Sequence, residues 1–337
     1  MTKLIIQIPC FNEAETLPKV LAELPERIPG IDLIETLVID DGSTDDTVAV
    51  AREAGITYVV SHSTNKSLAR AFQTGLDTCL LLGADIIVNT DGDNQYPGRY
   101  IPDLVQPILN GKADLVIGDR RPQTIHHFSG MKKMLQVCGS WVVRLASGTP
   151  VPDAPSGFRA YNREAALQLN VLTNYTYTLE TIIQAGKKGL KVTSVPIRVN
   201  PQLRESRLIR SSWSYVKKSA ATILRVYAFY EPLRTIFYLS MPFFLMGTFL
   251  LARFGYYYMI GERGIGRFLQ SLFIGGISIL IGVLIAVLGV LADISATNRR
   301  VTEEMLYRLK KLELGMVERP VTYNKRESHP DEGAPRE

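Results

Sequence analysis

Two carboxylates and a carboxamide alternate at the end of one apolar run. Residues 86–90, read as IIVNT, lead directly into Asp91, Asp93 and Gln95. Oxygen ligands of this kind suit Mg²⁺ or Mn²⁺, and Mg²⁺ is usually held by one or two carboxylates together with phosphates and water. A strand-ending turn uses the same residue types, because Asp, Gly and Asn favour turns. The spacing leaves two interpretations open, a simple turn or a divalent-cation site that faces a phosphate.

The first 120 residues alternate between short apolar runs and helical patterns. The apolar runs predict strands at 4–8, 37–39, 57–60, 84–90 and 114–118, with amphipathic helices between them. The second helix is expected to begin with Thr44 or Asp45 as its N-cap. Strands that alternate with helices indicate an α/β fold, a mostly parallel sheet with helices on both faces. Such sheets bind their ligands at the carboxyl ends of the strands.

Polar residues collect where four of these strands end. The four loops are residues 9–13, 40–43, 91–95 and 118–121. Because the carboxyl ends of parallel strands share one edge, the loops are expected to converge on one rim, and four polar loops together favour a binding site. No Gly-rich dinucleotide fingerprint and no Walker lysine motif occurs in the sequence. A dinucleotide or P-loop site is therefore not expected.

Composition changes sharply along the 337 residues, from mixed to apolar to polar. Two apolar stretches, about 235–259 and 268–292, approach or exceed the length that crosses a bilayer. The predicted divisions are a cytoplasmic catalytic head at 1–206, interfacial amphipathic helices at 207–232, two transmembrane helices within 233–293, and a cytoplasmic helix with a disordered tail at 294–337. Within that last part, residues 301–314 are predicted to form a surface helix.

The basic residues lie mainly beside the apolar stretches. The formal net charge is +5, and its placement favours an anionic lipid bilayer, and no nucleic acid, as the partner. Arginines and lysines flank the hairpin more densely than they fill its connecting loop, which predicts a multi-pass protein of the cell (inner) membrane with head and C-terminus in the cytoplasm. The N-terminus resembles no signal peptide, and three cysteines show no disulfide or zinc spacing. The chain could also form a homo-oligomer.

Five motifs follow one another along the chain: PCFNE at 9–13, IDDGSTD at 39–45, DGDNQ at 91–95, GDR at 118–120 and SGFR at 156–159. Together they resemble the motifs of family-2 glycosyltransferases with the GT-A fold. Over residues 4–292 the chain is similar, more narrowly, to dolichol-phosphate mannose synthases and bacterial polyprenyl-phosphate glycosyltransferases with two C-terminal transmembrane helices. Each motif is loose alone, but five in the family's order are specific.

The resemblance implies a hexosyltransferase with a UDP- or GDP-linked sugar as donor and a polyprenyl (undecaprenyl or dolichyl) phosphate as acceptor. It implies that Mg²⁺ or Mn²⁺ is held by Asp91, Asp93 and Gln95, and that Asp91, Asp93 and Arg120 are catalytic. The residues implied in binding the nucleotide sugar are Pro9, Phe11, Glu13, Ile39, Asp41, Asp91, Gly92 and Asp93. The candidates for binding the acceptor phosphate are Arg120, Lys132, Lys133, Arg204 and Arg207.

The chemistry of a phosphate acceptor agrees with this set of residues. A phosphate monoester, with a second pKa near ~6, is already an anion at neutral pH and needs no general base. Its direct attack on the anomeric carbon predicts inversion. Two alternatives stay open, transfer to a hydroxyl of a polysaccharide or protein, and a non-catalytic membrane scaffold with a GT-A head. A transporter is disfavoured, because two spans without an interior polar row cannot line a path.

Overall fold

The structure, a computed structural model, describes residues 1–121, 130–171, 177–201, 232–260 and 269–315. Over residues 130–138 it describes the backbone alone. The predicted interfacial helices at 207–232, except for the last residue, and the tail beyond residue 315 lie outside the described residues. So do two of the acceptor candidates, Arg204 and Arg207, and these predictions stand as predictions.

A seven-stranded mixed sheet forms the centre of the head, in the order β3-β2-β1-β4-β6-β5-β7. Six strands run parallel, and β6 alone is antiparallel, pairing with β4 on one side and β5 on the other. The mostly parallel sheet predicted from the alternating pattern is confirmed. The strands are β1 Lys3–Cys10, β2 Leu33–Asp40, β3 Tyr58–Ser61, β4 Ile86–Asn89, β5 Leu115–Asp119, β6 Arg159–Asn162 and β7 Val192–Pro196.

Nine α-helices are described, seven in the head and two beyond it. They are α1 Leu17–Ala22, α2 Thr47–Glu53, α3 Leu68–Leu81, α4 Ile101–Leu109, α5 Gly130–Ser147, α6 Arg163–Gln168, α7 Tyr177–Lys187, α8 Pro232–Met259 and α9 Leu269–Glu313, with a 3-10 turn at Gly98–Tyr100. The predicted start of α2 is wrong, because the helix begins at Thr47 with Asp46 at its N-cap. The side chain of Asp45 instead accepts the amide of Thr47 at 3.1 Å, which closes the turn before the helix.

Helices cover both faces of the sheet, as the alternation of side chains along β1 shows. Leu4, Ile6 and Ile8 are buried on one face, in a core shared with α1, α2 and α4. Ile5 is buried on the other face, in a core shared with α3, α5, α6 and α7. Successive side chains of a strand point to opposite faces, so a strand buried on both faces reads as a continuous apolar run. The two cores fix the strands, and with them the loops at their carboxyl ends.

The strand order places a crevice beside β1. The chain builds β1, β2 and β3 outward in one direction and then returns to place β4 on the other side of β1. In open α/β sheets, ligands bind outside the carboxyl ends of the strands at such a reversal. The loops after β1 and β4, which carry Glu13 and Asp91, therefore border the expected binding crevice.

Helices α8 and α9 form an antiparallel hairpin whose length and composition suit a membrane crossing. Glycines allow their backbones to approach closely. A Cβ on Gly247 would lie 2.9 Å from the carbonyl oxygen of Gly275, and a Cβ on Gly275 would lie 3.1 Å from that of Gly247. Small residues at helix crossings are the usual packing device in membranes. The hairpin supports association of the chain with a membrane.

The second helix of the hairpin does not stop where its apolar stretch stops. Residues 301–313, predicted to be a surface helix, are helical, but they form the end of α9, which runs unbroken over 45 residues from Leu269 to Glu313. The physical reason is that no Pro or Gly interrupts residues 290–314. The first glycine after that stretch, Gly315, adopts φ +66°, the left-handed conformation that ends helices.

The C-terminal part of α9 is bonded to the head through Glu303, Tyr307 and Lys310, which we call the clasp. Glu303 pairs with Lys188 at 3.2 Å, and the Tyr307 hydroxyl donates to Glu164 at 2.5 Å. Lys310 reaches Asp77 at 2.8 Å and also bonds to the side chain of Asn170. Lys188 and Glu164 lie close to the start of β7 and the end of β6, at the amino edge of the parallel strands. The clasp therefore holds the edge of the sheet opposite the loops described above.

Two glycines in the packed pair α5 and α7 give a direct test of this packing. A Cβ on Gly186 would overlap the carbonyl oxygen of Ser147, whereas a Cβ on Gly139 would meet no atom within 4 Å. We expect Gly186→Ala to destabilise the protein by about 2 kcal/mol through overpacking. We expect Gly139→Ala to stabilise it by about 0.5 kcal/mol through helix propensity.

The measurement is the apparent Tm of the two variants in the same detergent micelles. Opposite shifts are expected, and shifts of the same sign would contradict the described contact between α5 and α7.

Candidate active site

The loops after β1 and β2 are tied together by reciprocal hydrogen bonds. The amide of Asn12 donates to Ser43 Oγ at 2.9 Å, and the amide of Thr44 donates to Asn12 Oδ1 at 2.8 Å. Asn12 adopts φ +55°, and Asn is among the few residues with a side chain that tolerate this left-handed region. The structure thus brings the first two polar loops together at the carboxyl edge, next to the crevice beside β1.

Two residues implied in nucleotide binding prove to have structural contacts of their own. The carboxylate of Asp41 accepts the amides of Lys66 and Ser67 at 2.9 Å each, and it contacts His62 Nδ1 at 2.8 Å. Asp41 therefore fixes the loop that precedes α3. The side chain of Ile39 is fully buried in the core, so only its backbone could face a nucleotide.

Asp91 follows β4 in a close-packed polar pocket. A Cβ on Gly157 would lie 3.1 Å from Asp91 Oδ2 and 2.7 Å from the Tyr177 hydroxyl. The amide of Gly157 donates to the buried Tyr96 hydroxyl at 3.1 Å, and its carbonyl accepts Asn89 Nδ2 at 2.9 Å. Glycine is required here because a side chain would occupy the space that Asp91 and Tyr177 share.

The Asp91 carboxyl is electrostatically strained. Its pKa is raised from 3.8 to about 7, chiefly by burial and then by the nearby charge of Asp93, against the opposing effect of Arg120. The Oδ1 atom of Asp91 is buried and has no hydrogen-bond partner among the described residues. Burying a carboxylate oxygen without a hydrogen-bond partner costs free energy. Asp91 Oδ1 is therefore suited to bind a cation.

The residues present fit a divalent cation. Asp91 and Asp93 supply two carboxylates on one turn. The backbone amide of Gln95 donates to Asp93 Oδ1 at 3.0 Å and so orients that carboxylate. Among the residues that the structure describes, no group of three or more His, Cys, Asp or Glu side chains could hold a metal ion. Two carboxylates with phosphates and water complete a Mg²⁺ shell without such a group. The site suits a cation that arrives with a diphosphate.

Gly92 brings the loop after β4 against the loop after β1. A Cβ on Gly92 would lie 2.9 Å from Cys10 Sγ and 3.3 Å from Glu13 Cγ. The Thr16 hydroxyl bonds to the Gly92 carbonyl at 2.8 Å and to Glu13 Oε2 at 2.7 Å. The three residues 91–93 are thus held between the β1 loop on one side and Gly157 on the other.

Arg120, after β5, is held by a partner that sequence reasoning missed. Its Nε and Nη2 bond to the two oxygens of Asp153 at 2.7 and 2.9 Å, and its amide bonds to the same carboxylate at 3.1 Å. Both side chains are almost fully buried. A bidentate pair of this kind fixes the plane of the guanidinium. The positive charge of Arg120 is close enough to Asp91 to lower the pKa of that carboxyl.

The first half of the chain matches the family model "Glycosyl transferase family 2" over residues 5–169. An undecaprenyl-phosphate mannosyltransferase of Micrococcus luteus is 30% identical over 212 residues, which are 60% of this chain and 85% of that protein. The chain belongs to glycosyl transferase family 2. It is a nucleotide-sugar glycosyltransferase, and the predicted family is confirmed.

Two further comparisons show how much of the chain is similar to known proteins. The glycosyltransferase AglJ of Haloferax volcanii is 28% identical over 322 residues, which cover 91% of this chain and 97% of AglJ, the C-terminal helices included. Glucosyl-3-phosphoglycerate synthase from Mycobacterium tuberculosis, solved with Mn²⁺, UDP-glucose and phosphoglyceric acid, has 23% identity and a TM-score of 0.54 over 67% of this chain and 80% of that one. The second likeness concerns the fold, which is the predicted GT-A fold.

The last arginine of the glycosyltransferase's SGFR motif, Arg159, is a structural residue. It is fully buried and donates to the carbonyl oxygens of Ala154, Ser156 and Thr178 and to the hydroxyl of Thr181, at 2.7–2.9 Å. It therefore binds the turn that carries Asp153 and Gly157 to helix α7. Its charge also lowers the pKa of Asp91, as that of Arg120 does.

The sequence predicts that the polar loops converge at the carboxyl edge, which the structure confirms, but it does not predict the residues that support them. Asp153, Tyr96 and Asn89 were missed because their partners lie 33 to 88 positions away in the chain. The one available sign was the rigid segment PDAP at 152–155, which places an acidic residue between two prolines. Of the other acceptor candidates, Lys132 and Lys133 lie in the first turn of α5, and their side chains are outside the described residues.

The raised pKa of Asp91 predicts how a metal acts on stability. Between pH 3.8 and about pH 7, the folded protein binds the Asp91 proton more tightly than the unfolded chain does. Stability without metal therefore falls as pH rises through that window, since ionisation of the buried group is unfavourable. Mn²⁺ needs the ionised carboxylate, so the Tm increase caused by Mn²⁺ should be small well below pH 7 and large above it.

The measurement is Tm against pH in detergent, with and without Mn²⁺. Asp91→Asn should abolish most of the Mn²⁺ increment at every pH, while the exposed Asp103→Asn should keep it. An increment of equal size on both sides of pH 7 would contradict the assignment of Asp91.

Proposed function

We propose that this glycosyltransferase transfers a sugar, with inversion, from a UDP- or GDP-linked donor to a polyprenyl phosphate at the cytoplasmic surface of the membrane. The relative from Micrococcus luteus is named for transfer to undecaprenyl phosphate. The observation that carries the proposal in this chain is the continuity of α9, which joins a membrane-length apolar segment to the clasp on the head.

The length of α9 supports a site near the bilayer. Residues 269–292 carry no charge and span about 36 Å at about 1.5 Å per residue, enough to cross the hydrocarbon core. The clasp then lies about 17–27 Å beyond them along the helix. The longest strands have eight residues and span about 26 Å. A head that is held by its amino edge at this distance from the bilayer can direct its carboxyl edge, with Asp91 and Arg120, toward the lipid headgroups.

The donor half of the site is built from the loops after β1, β2 and β4. Asp91, Asp93 and Gln95 would hold Mg²⁺ or Mn²⁺, which when bound stabilises the charge that develops on the departing diphosphate. Asp91 would bind it through Oδ1, the oxygen that has no hydrogen-bond partner among the described residues. The nucleoside would lie along the loops of Phe11 and Asp41, at the reversal of the strand order.

The acceptor half needs cations in place of a base. A phosphate monoester is already an anion at cytoplasmic pH, so the site must orient it without a proton transfer. The pair with Asp153 holds Arg120 in one orientation and partly balances its charge. Arg120 would then direct the phosphate without binding it too tightly, and Lys132, Lys133, Arg204 and Arg207 would supply further positive charge at the bilayer surface.

The deciding experiment offers radiolabelled UDP- and GDP-sugars to membranes that contain the protein and undecaprenyl phosphate. We expect label in a lipid extract, released by mild acid as the free sugar. Label in a protein or polysaccharide fraction instead would favour a hydroxyl acceptor, and the absence of any transfer with every donor would favour a scaffold.

Removal of one carboxylate should stop the reaction without unfolding the protein. We expect Asp93→Ala to lower kcat by about 10²–10³-fold, the effect seen when one charge-stabilising group is removed. The measurement is the rate of label transfer, with Tm and membrane recovery as checks on folding. Asp103→Ala, an exposed carboxylate on α4, is the matched control, and near-normal turnover in Asp93→Ala would remove the metal assignment.

The basic segment after β7 should affect the KM for the lipid substrate and not the KM for the nucleotide sugar. We expect Arg204→Ala and Arg207→Ala to raise the KM for polyprenyl phosphate by about tenfold each, since a charge-assisted hydrogen bond contributes about 1.5 kcal/mol. The KM for the nucleotide sugar should stay unchanged in both. If lipid kinetics are unaltered in both variants, the acceptor phosphate binds elsewhere.

A further inference from the structure

The carboxylate of Asp41 has most of its acceptor positions occupied within the protein. Its Oδ1 accepts Nδ1 of His62 at 2.8 Å and the amide of Lys66 at 2.9 Å, and its Oδ2 accepts the amide of Ser67 at 2.9 Å. A carboxylate offers about four lone-pair positions, two on each oxygen, and it only accepts, so Nδ1 of His62 carries the hydrogen. Counted over the described residues, one acceptor position is left, and it is on Oδ2.

The loop that supplies these donors, residues 62–67, is packed rigidly against Asp41. Gly42, at φ +74°, lies so close to this loop that a Cβ would be 2.6 Å from one of its backbone carbons. The side chain of His62 is 7% exposed, and its Nε2 lies 3.0 Å from Thr74 Oγ1 on α3. The carboxylate therefore cannot exchange one of its three donors for a ligand unless the loop rearranges.

Ser67 adopts a strained backbone conformation beside the same carboxylate. Its φ of +91° and ψ of 152° lie in a region that is almost exclusive to glycine. Such a conformation persists only where its surroundings fix it, and the bond from the Ser67 amide to Asp41 Oδ2 is one such constraint. The hydroxyl of Ser67 is buried and has no hydrogen-bond partner among the described residues. The residue that binds Oδ2 thus also offers an unused donor.

The open acceptor position and the unused hydroxyl together match one edge of uracil. Proteins read unpaired bases largely through their Watson–Crick edges. On that edge uracil has a single donor, N3–H, between two carbonyl oxygens, so N3–H can donate to Asp41 Oδ2 while one carbonyl accepts the Ser67 hydroxyl. Guanine has two adjacent donors, N1–H and N2–H, which suit a carboxylate with an open position on each oxygen. Because His62 and Lys66 fill Oδ1, one donor of guanine would stay unpaired.

We infer that the sugar donor is a uridine nucleotide, selected over a guanosine nucleotide by the single open acceptor position of Asp41, and that His62 is the positioning residue that closes the other oxygen. The inference deepens the proposed function and rests on its placement of the nucleoside along the loop of Asp41. It does not depend on the identity of the acceptor. His62 acts through Asp41 and contacts none of the reacting atoms.

Calorimetric titration of the full-length protein with four nucleotides tests the selection directly. UDP, GDP, ADP and CDP are titrated in the same detergent with Mn²⁺ present. We expect the Kd for UDP to be at least about tenfold lower than the Kd for GDP, because a buried donor left unpaired weakens binding by that order. ADP and CDP have no ring N–H on the base edge and should bind no better than GDP. Binding of GDP as tight as that of UDP would overturn the inference.

Two variants of similar size test the role of His62. His62→Asn keeps an N–H near the position of Nδ1, whereas His62→Leu removes it and opens one acceptor position on Asp41 Oδ1. We expect His62→Asn to keep the preference for UDP and His62→Leu to lower the ratio of the GDP Kd to the UDP Kd about tenfold. A purely structural role would weaken both nucleotides equally, so an unchanged ratio in a folded His62→Leu protein would contradict the positioning role.

The hydroxyl of Ser67 can be removed without loss of a bond within the described protein. We expect Ser67→Ala to leave the Tm unchanged and to raise the Kd for UDP about fivefold, the effect of one neutral hydrogen bond. The Kd for ADP should not change, because the inference gives its base no bond to this hydroxyl. Unaltered UDP binding in Ser67→Ala would remove the hydroxyl from the uracil site.

Binding and transfer together separate this inference from the proposed function. Binding needs no acceptor, so a preference for UDP without any transfer to undecaprenyl phosphate would reject the proposed acceptor alone. Transfer to that lipid from a GDP-sugar and from no UDP-sugar would uphold the proposed function and overturn the inference. Failure of all four nucleotides to bind the folded protein would overturn both.

Discussion

A carboxylate oxygen that the protein leaves without a partner is the constraint on which the site depends. Asp91 lies between the loop after β1 and the turn at Gly157, and its Oδ1 has no hydrogen bond within the described residues. Burial and the nearby charges of Asp93 and Glu13 raise its pKa, and the charges of Arg120 and Arg159 lower it. The fold thus accepts an unfavourable charge at one position, and glycine at 92 and 157 gives it the necessary space.

Two buried arginines act differently on that charge. Arg120 is bound by a carboxylate, Asp153, and its orientation is set by two parallel hydrogen bonds. Arg159 is bound by carbonyl and hydroxyl oxygens, so more of its charge is left uncompensated beneath the site. A buried ion pair fixes geometry more than it adds stability. The first arginine is therefore suited to meet a ligand, and the second to hold the turn that supports it.

The strands and the polar rim could be predicted from sequence because they depend on local patterns. Apolar runs end where carboxylates begin, and parallel strands must bring those ends to one edge. The supports could not be predicted, since Asp153 meets Arg120 across 33 residues and Tyr177 meets Asn89 across 88. The continuity of α9 was missed for another reason. Its composition changes from apolar to charged at Asp293, whereas its backbone changes only at Gly315.

In the proposed membrane orientation, one unbroken helix runs from the lipid to the far edge of the head, and it would make the enzyme sensitive to the thickness of its membrane. Helix α9 is stiff, and the clasp joins it to the amino edge of the sheet through three side chains. A thicker bilayer draws more of the helix into the hydrocarbon, and a thinner one makes it tilt. Either change would move the whole sheet relative to the headgroups, so the composition of the host membrane would set how well the rim meets the proposed lipid acceptor.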